Sequence, residues 1–217
     1  MCCLINCHHF RNFFSNWMQI AVPTCINHTF YIERTWLSLQ HHLGDNFYEK
    51  IKEIYPKGDI FIDYEVGLIS EKTFFETLRA TCEYPLSIRT LTEAFNAMLL
   101  TINPIRFTML ARLKEKYNVF LLSNTNETHV NFVDGYLQTV HGFSIQEFDA
   151  RYFHRVYYSH LIHLRKPNRN VYDYIIEDAR ILPSETLFID DNADNIKGVI
   201  AAGWHGYLHP IRKECVA

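Results

Sequence analysis

The chain has 217 residues, 21 basic and 24 acidic side chains, and a formal net charge of -3. With 48% hydrophobic and 21% charged residues it has the makeup of an ordinary globular protein, which excludes a disordered chain, a collagen-like repeat and a basic nucleic-acid-coating protein. The length is ample for a buried core, and no stretch approaches the roughly 18 to 20 consecutive apolar residues of a membrane span, so neither nucleic acid nor a membrane is expected as a partner.

The first segment, residues 1–30, is anomalous. No acidic residue precedes Glu33 and no glycine precedes Gly44. Asn6, His8, His9, Arg11 and Asn12 interrupt its apolar residues, which argues against a secretory signal. Four of the six cysteines (Cys2, Cys3, Cys7 and Cys25) fall here, with Cys82 and Cys215 far away. That is not a framework spread through a secreted domain, so a cytoplasmic protein with reduced thiols is expected. Cys2, Cys3, Cys7, His8 and His9 are potential zinc ligands by type, but their spacing matches no standard site.

Residues 31–100 carry helical patterns without convincing strands. Trp36 and Leu39 share a face, as do Phe47, Ile51 and Ile54. Ser70 is a candidate N-cap, with Ile69 placed as a hydrophobic staple to Phe74 and with Phe75 and Leu78 following on the apolar face. Phe95, Met98 and Leu99 point to a last helix. A small helical subdomain is expected here.

From residue 101 to 217 short apolar runs alternate with helical segments. Asn103-Pro104 reads as an N-cap with proline at the first helical position, followed by Ile105, Met109, Leu113 and Tyr117 on one face. Strands are expected at Val119–Leu122, Arg155–Ser159, Thr186–Ile189 and, more weakly, Gly206–His209. Helices are expected from Asn168 to Arg180 and from Ala193 to Ala202, the latter stopped by Gly203. Apolar runs this short, separated by helices, predict an α/β fold with a doubly wound parallel sheet covered on both faces.

In such sheets ligands collect beyond the carboxyl ends of the strands. Ser123, Asn124 and Thr125 end the first of these runs and offer hydroxyls and amides suited to a phosphate. Asp190 and Asp191 end the third, and adjacent carboxylates there suit a hard cation such as Mg²⁺. Between them lies Arg165-Lys166-Pro167, whose Lys166 can neutralise a phosphoryl oxygen as a point charge. Taken singly, Ser-Asn-Thr also reads as a turn, Asp-Asp-Asn as an N-cap pair and Lys-Pro as surface. Their joint order, each at or near a strand end, is what points to a site.

This constellation resembles the haloacid dehalogenase (HAD) superfamily. Leu121-Leu122-Ser123-Asn124-Thr125 looks like its second motif, Leu164-Arg165-Lys166-Pro167 like its third, and Phe188-Ile189-Asp190-Asp191-Asn192 like its fourth. Asn126-Glu127-Thr128-His129, Ser159 to Pro167 and Asp194-Asn195 are similar to a subgroup of small-sugar-phosphate phosphatases. Phe61 to Ser70 and Phe95 to Leu100 are similar to its helical cap. The resemblance implies a Rossmann-like core with a small cap, Ser123, Asn124 and Lys166 on the phosphoryl group, Ser123 and Lys166 in catalysis, Mg²⁺ held by Asp190 and Asp191, and a small phosphorylated metabolite as substrate. A monomer or weak dimer is expected from the near-average composition.

The family's first motif, whose Asp is both nucleophile and metal ligand, belongs on a first core strand before the cap, near Ile20 to Asn27. There the sequence reads Gln19-Ile20-Ala21-Val22-Pro23-Thr24-Cys25-Ile26-Asn27, without a carboxylate. The nucleophile is therefore unassigned; Cys25 is an imaginable substitute, though nothing nearby lowers its pKa. Three functional readings follow from that gap: an impaired Mg²⁺-dependent phosphatase, a non-catalytic binding descendant, or a frame-shifted or mis-started N-terminus on an active enzyme.

Overall fold

The computed structural model describes residues 2–6, 28–82, 84–99 and 101–209. In chain order the elements begin with β1 (Cys2–Asn6) and five helices, α1 (His28–Leu43), α2 (Phe47–Ile54), α3 (Ile60–Glu65), α4 (Glu71–Ala80) and α5 (Ile88–Phe95). They continue as α6 (Ile105–Lys114), β2 (Asn118–Ser123), α7 (Glu127–His141), α8 (Ile145–Tyr152), β3 (Arg155–Tyr158) and α9 (Ser159–Ile162). The last are α10 (Arg169–Ala179), β4 (Thr186–Asp190), α11 (Ala193–Ala201) and β5 (His205–Leu208).

Period-two alternation along the strands builds the core in three layers. Val119 and Leu121 of β2 and Leu187 and Ile189 of β4 face one side, where Phe107, Leu110 and Leu113 of α6, Leu137 of α7 and Phe148 of α8 cover them. Phe120, Leu122 and Phe188 face the other side and pack on Val171, Tyr172 and Ile175 of α10 and on Val199 of α11, with Trp204. This is the doubly wound α/β architecture, with helices on both faces of one sheet.

The sheet order is β3-β2-β1-β4-β5. β2 pairs with β3 and β4 with β5 in parallel. The central strand departs from the all-parallel expectation, because β1 runs antiparallel to both β2 and β4. A short apolar run such as Cys2-Cys3-Leu4-Ile5 completes the hydrogen-bond ladders of its two neighbours in either direction, so composition alone does not set its polarity. Its reversal brings the amino end of β1, not its carboxyl end, to the edge where β2 and β4 finish: Cys2 lies opposite Leu122, and Cys3 lies opposite Leu121 and Ile189. The stretch from Ile20 to Asn27, where the first motif was expected, lies outside the described residues, as do Cys7, His8, His9, Cys25 and Cys215.

Ser70 caps α4 as expected, whereas α6 begins at Ile105 with Pro104, not Asn103, in the cap position. Asn103 Oδ1 accepts from Ile105 N–H at 3.1 Å, and Ser70 Oγ accepts from Thr73 N–H at 3.2 Å. The apolar face of α6 is shifted, however. Phe107, Leu110 and Leu113 are buried whereas Ile105 is 68% exposed, because the i, i+3 row rather than the i, i+4 row faces the sheet. Likewise Ile54 is exposed at the end of α2 while Phe47 and Ile51 are buried. Of the last helix expected at Phe95, Met98 and Leu99, α5 takes only Phe95 as its final residue, and Asn96–Met98 add a single 3-10 turn.

The helices α1 to α5 share their own hydrophobic cluster, including Leu39, Phe47, Phe74, Leu78 and Leu91. Phe74 is its hub. It stacks on Tyr64 at 4.4 Å, meets Phe61 and Phe75 edge-on, and tilts against Phe95 at 4.9 Å between centroids. This helical unit is tied to the sheet by polar contacts on two loops. Ser159 Oγ accepts from Thr125 N–H and lies 2.7 Å from the Glu65 carbonyl and 2.8 Å from the Thr125 carbonyl. Gly67, at φ +69°, passes so close to the His160 carbonyl that a Cβ there would collide with it; the positive φ and the close approach both require glycine.

Candidate active site at the ends of strands β2 and β4

β2 ends in Ser123, which is buried, and the chain leaves it through Asn124 and Thr125 before Asn126 caps α7 by accepting from His129 N–H at 3.0 Å. Asn124 clasps the loop before α10 from both sides. Its Nδ2 donates to the Lys166 carbonyl and its Oδ1 accepts from Lys166 N–H, each at 3.0 Å. Gly198 of α11 allows this loop to lie close, since a Cβ there would come within 2.7 Å of the Pro167 carbonyl oxygen.

That clasp fixes where the Lys166 side chain goes. Its Nζ donates to the Leu122 carbonyl of β2 at 3.2 Å and to Asp190 Oδ2 of β4 at 3.0 Å, and lies 5.3 Å from the Phe188 ring centroid. The ammonium thus bridges the two strands that flank β1. Lys166 is 3% and Asp190 1% exposed, so this is a buried ion pair in which each charge depends on the other. Asp190 has further support: Oδ1 accepts from Asn192 N–H and Oδ2 from Asn195 Nδ2, both at 2.8 Å. Asn192 in turn caps α11 by accepting from Asp194 N–H and Asn195 N–H. Hydrogen bonds of this kind lock the carboxylate in one orientation.

Ser123, Asn124, Lys166, Asp190 and Asp191 all border one cavity of about 220 Å³. The motif-bearing residues, distant in sequence, therefore meet at one place. The rest of the wall comes from Ile32 and Glu65 of the helical unit, from Arg165 and Pro167 on either side of Lys166, and from Asn192, Asp194 and Asn195 after β4. Glu65 carried no signal in the sequence beyond lying in the segment similar to a cap, since a carboxylate at a helix end reads as solvated surface. Thr125 is drawn away from the cavity by its bond to Ser159.

The hard oxygen donors bordering the cavity fit Mg²⁺, which needs one or two carboxylates and completes its shell with water and phosphate oxygens. Asp190 and Asp191 supply such a pair. Among the described residues no group of three or more His, Cys, Asp or Glu side chains is clustered to hold a metal, so the donor set is two acids rather than a cage of protein ligands.

A second polar cluster joins the helical unit to the start of α7. Tyr64 Oη lies 2.6 Å from Thr128 Oγ1, which donates to Glu71 Oε1 at 2.6 Å, and Thr128 N–H donates to Tyr64 Oη. Burial pushes the Tyr64 hydroxyl up to about 12, so it stays protonated and donates to Thr128. Next to it His129 stacks on Phe95 at 4.5 Å, with Nε2 3.3 Å from the Phe95 carbonyl and Nδ1 3.2 Å from Asn126 Nδ2. Burial holds its pKa down to about 4. The neutral ring satisfies both contacts by donating from Nε2 and accepting at Nδ1.

Comparison with known proteins shows the family and the fold. A family model described as haloacid dehalogenase-like hydrolase matches residues 24–203. D-ribitol-5-phosphate phosphatase of Bacteroides thetaiotaomicron is 28% identical over 142 residues, covering 65% of this chain and 67% of that protein. A HAD family enzyme from the same organism, solved in complex with magnesium and inorganic phosphate, is 30% identical with a TM-score of 0.69, covering 85% of this chain and 89% of that one. A predicted HAD-like family hydrolase from Porphyromonas gingivalis is 27% identical with a TM-score of 0.70, over 85% of this chain and 86% of the other. No helix among the described residues is long and apolar enough to cross a membrane.

Proposed function

Since the chain belongs to the haloacid dehalogenase-like hydrolase family, we propose that it binds a small phosphomonoester with Mg²⁺ at the ends of β2 and β4, and that its hydrolytic step is impaired. One observation carries this reading. Ser123, Asn124, Lys166, Asp190 and Asp191 border one cavity, whereas the 32 residues before Glu33 hold no carboxylate to serve as nucleophile.

Ser123 and Asn124 grip the phosphoryl group by hydrogen bonding, and Lys166 neutralises one of its oxygens. Asp190 and Asp191 hold the cation, which when bound supplies charge neutralisation at the phosphoryl oxygens. The helical unit 31–100 acts as a cap that excludes water from the core, 101–217. An aspartyl-phosphate needs a carboxylate beside the phosphorus, and β1, with the sequence Cys-Cys-Leu-Ile-Asn, provides none. The same reading makes the chain a cytoplasmic monomer or weak dimer, supported by four of its six cysteines lying in the first 25 residues rather than spread as a disulfide framework and by its average composition.

Titration calorimetry with inorganic phosphate, with and without Mg²⁺, tests the binding half. With only two protein carboxylates on the cation, phosphate is expected to bind at least about tenfold more tightly when Mg²⁺ is present, and Mg²⁺ reciprocally when phosphate is present. Absence of phosphate binding under both conditions overturns the reading.

A further inference from the structure

The carboxyl end of α3 is finished by residues of the core. The last four carbonyls of a helix have no partners within it. Those of Ile62, Asp63 and Tyr64 accept from the N–H groups of Val66, Leu68 and Gly67, at 2.9, 2.8 and 3.1 Å. Those of Glu65 and of the next residue, Val66, are met from the segment 159–165. Ser159 Oγ stands 2.7 Å from the Glu65 carbonyl and His163 Nδ1 2.9 Å from that of Val66. A carbonyl only accepts, so the imidazole donates from Nδ1. Arg165 Nε adds a bond to the Glu65 carboxylate at 2.7 Å, and the Gly67 backbone lies against the His160 carbonyl. His163 is itself held at φ +56°, a left-handed conformation uncommon for a residue with a side chain.

Ser159 also holds the loop that leaves β2. Its Oγ accepts from Thr125 N–H and lies 2.8 Å from the Thr125 carbonyl, and the residue has no exposed surface. A hydroxyl carries one hydrogen. Two carbonyls stand within reach of it, Glu65 of the helical unit and Thr125 of the core, so donating to one withdraws the donor from the other. Thr125 adjoins Asn124, whose side chain clasps the Lys166 backbone, and Lys166 follows Arg165 directly. The segment 65–67 is therefore tied at both ends of 159–165 to residues beside the strand tips. One tie runs through Ser159 to the loop 123–125, the other through Arg165 to Lys166.

We propose that Ser159 is a positioning residue that couples the phosphate site to the helical unit. An anion held by Ser123, Asn124 and Lys166 restrains the loop 123–125 and with it the Thr125 N–H. While Ser159 Oγ accepts from that N–H, its hydrogen is directed to the Glu65 carbonyl, and the end of α3 is held on the core. The two positions of one buried hydrogen are the switching element that such a coupling requires. Coupling of this kind is reciprocal, so a settled α3 strengthens the grip on the anion by the same factor. This assignment rests on the phosphate-binding reading of the preceding subsection, and adds to it that occupancy of the strand-tip site reaches residues 65–68.

Residue-resolved amide exchange of the full chain with Mg²⁺, with and without saturating inorganic phosphate, tests the assignment. The N–H groups of Lys166 and Asn192, bonded to Asn124 Oδ1 and Asp190 Oδ1, report on the site. Those of Val66 and Leu68, bonded to the Ile62 and Asp63 carbonyls, report on the end of α3. In the unmodified chain phosphate is expected to slow exchange at all four by at least about fivefold. In Ser159→Ala it is expected to slow Lys166 and Asn192 still, but to leave Val66 and Leu68 within about twofold of their ligand-free rates. Gly67→Ala, whose Cβ would stand 2.2 Å from the His160 carbonyl oxygen, lifts the same segment from the opposite side and is expected to give the same split. A merely structural Ser159 would change the ligand-free rates and keep the response to phosphate. Slowing confined to Lys166 and Asn192 in the unmodified chain, or slowing of Val66 and Leu68 that survives in both variants, overturns the assignment. Loss of all four responses in both variants also overturns it, because it marks Ser159 as a brace of the site itself. No slowing in the unmodified chain, with no heat of phosphate binding by calorimetry, overturns the phosphate-binding reading and the assignment with it.

Discussion

Lys166→Ala is expected to lower stability by about 3 kcal/mol and to abolish phosphate binding. Two separate physical effects combine. Removing the ammonium leaves the Asp190 carboxylate, 1% exposed, without its 3.0 Å counter-charge; the Asn192 N–H and Asn195 amide remain as hydrogen-bond donors but carry no compensating charge. The Leu122 carbonyl also loses a donor. Denaturant unfolding reads the first effect and calorimetry with inorganic phosphate the second. The double substitution Lys166→Met with Asp190→Asn separates them. It removes both charges and keeps an apolar stem over the Phe188 ring, so it is expected to recover most of the lost stability and none of the binding. A Lys166→Ala chain that still binds phosphate as tightly as the unmodified one contradicts the role given to this residue.

Phe74→Ala is expected to cost about 4 kcal/mol, the largest loss from any apolar truncation in the helical unit. Phe74 has no exposed surface, and its ring meets those of Phe61, Tyr64, Phe75 and Phe95. Truncation opens a void among these four rings that the surrounding close-packed side chains fill only in part. Because the helical unit has a core distinct from the two layers that flank the sheet, the loss is expected to be local. Amide exchange in α1 to α5 should accelerate strongly while β2, β4 and α10 keep their protection. Uniform acceleration through both parts would show instead that the two unfold as one cooperative body.

How much of this could be read from the residues depended on the kind of signal involved. The strands Asn118–Ser123 and Thr186–Asp190 were legible because their apolar runs are short, two-faced and end abruptly in polar groups. The side-chain oxygens of Ser70 and Asn103 at helix starts were legible because an oxygen two or three residues before a free N–H is a local device. The convergence of Ser123, Lys166 and Asp190 was legible as a joint pattern, and the clasp of Asn124 on the Lys166 backbone gives its physical basis. What escaped was non-local. The direction of β1 depends on ladder partners more than a hundred residues away, and nothing in Cys-Cys-Leu-Ile-Asn encodes it. The choice of Phe107, Leu110 and Leu113 over Ile105 depends on how α6 is rolled against β2. Glu65 gains its importance from Ser159 and Arg165, 94 and 100 residues later.

The proposed impairment rests on that reversed, acid-free central strand: phosphate is expected to bind without cleavage of a phosphate ester. The most direct measurement is phosphate release from a small phosphomonoester by this chain with saturating Mg²⁺, run beside Lys166→Ala and a buffer blank. The account predicts release at the level of the blank for both chains, although the unmodified chain binds inorganic phosphate. Saturable release by the unmodified chain that disappears in Lys166→Ala would contradict it, and would mean that a nucleophile other than a carboxylate from the first 32 residues serves this site.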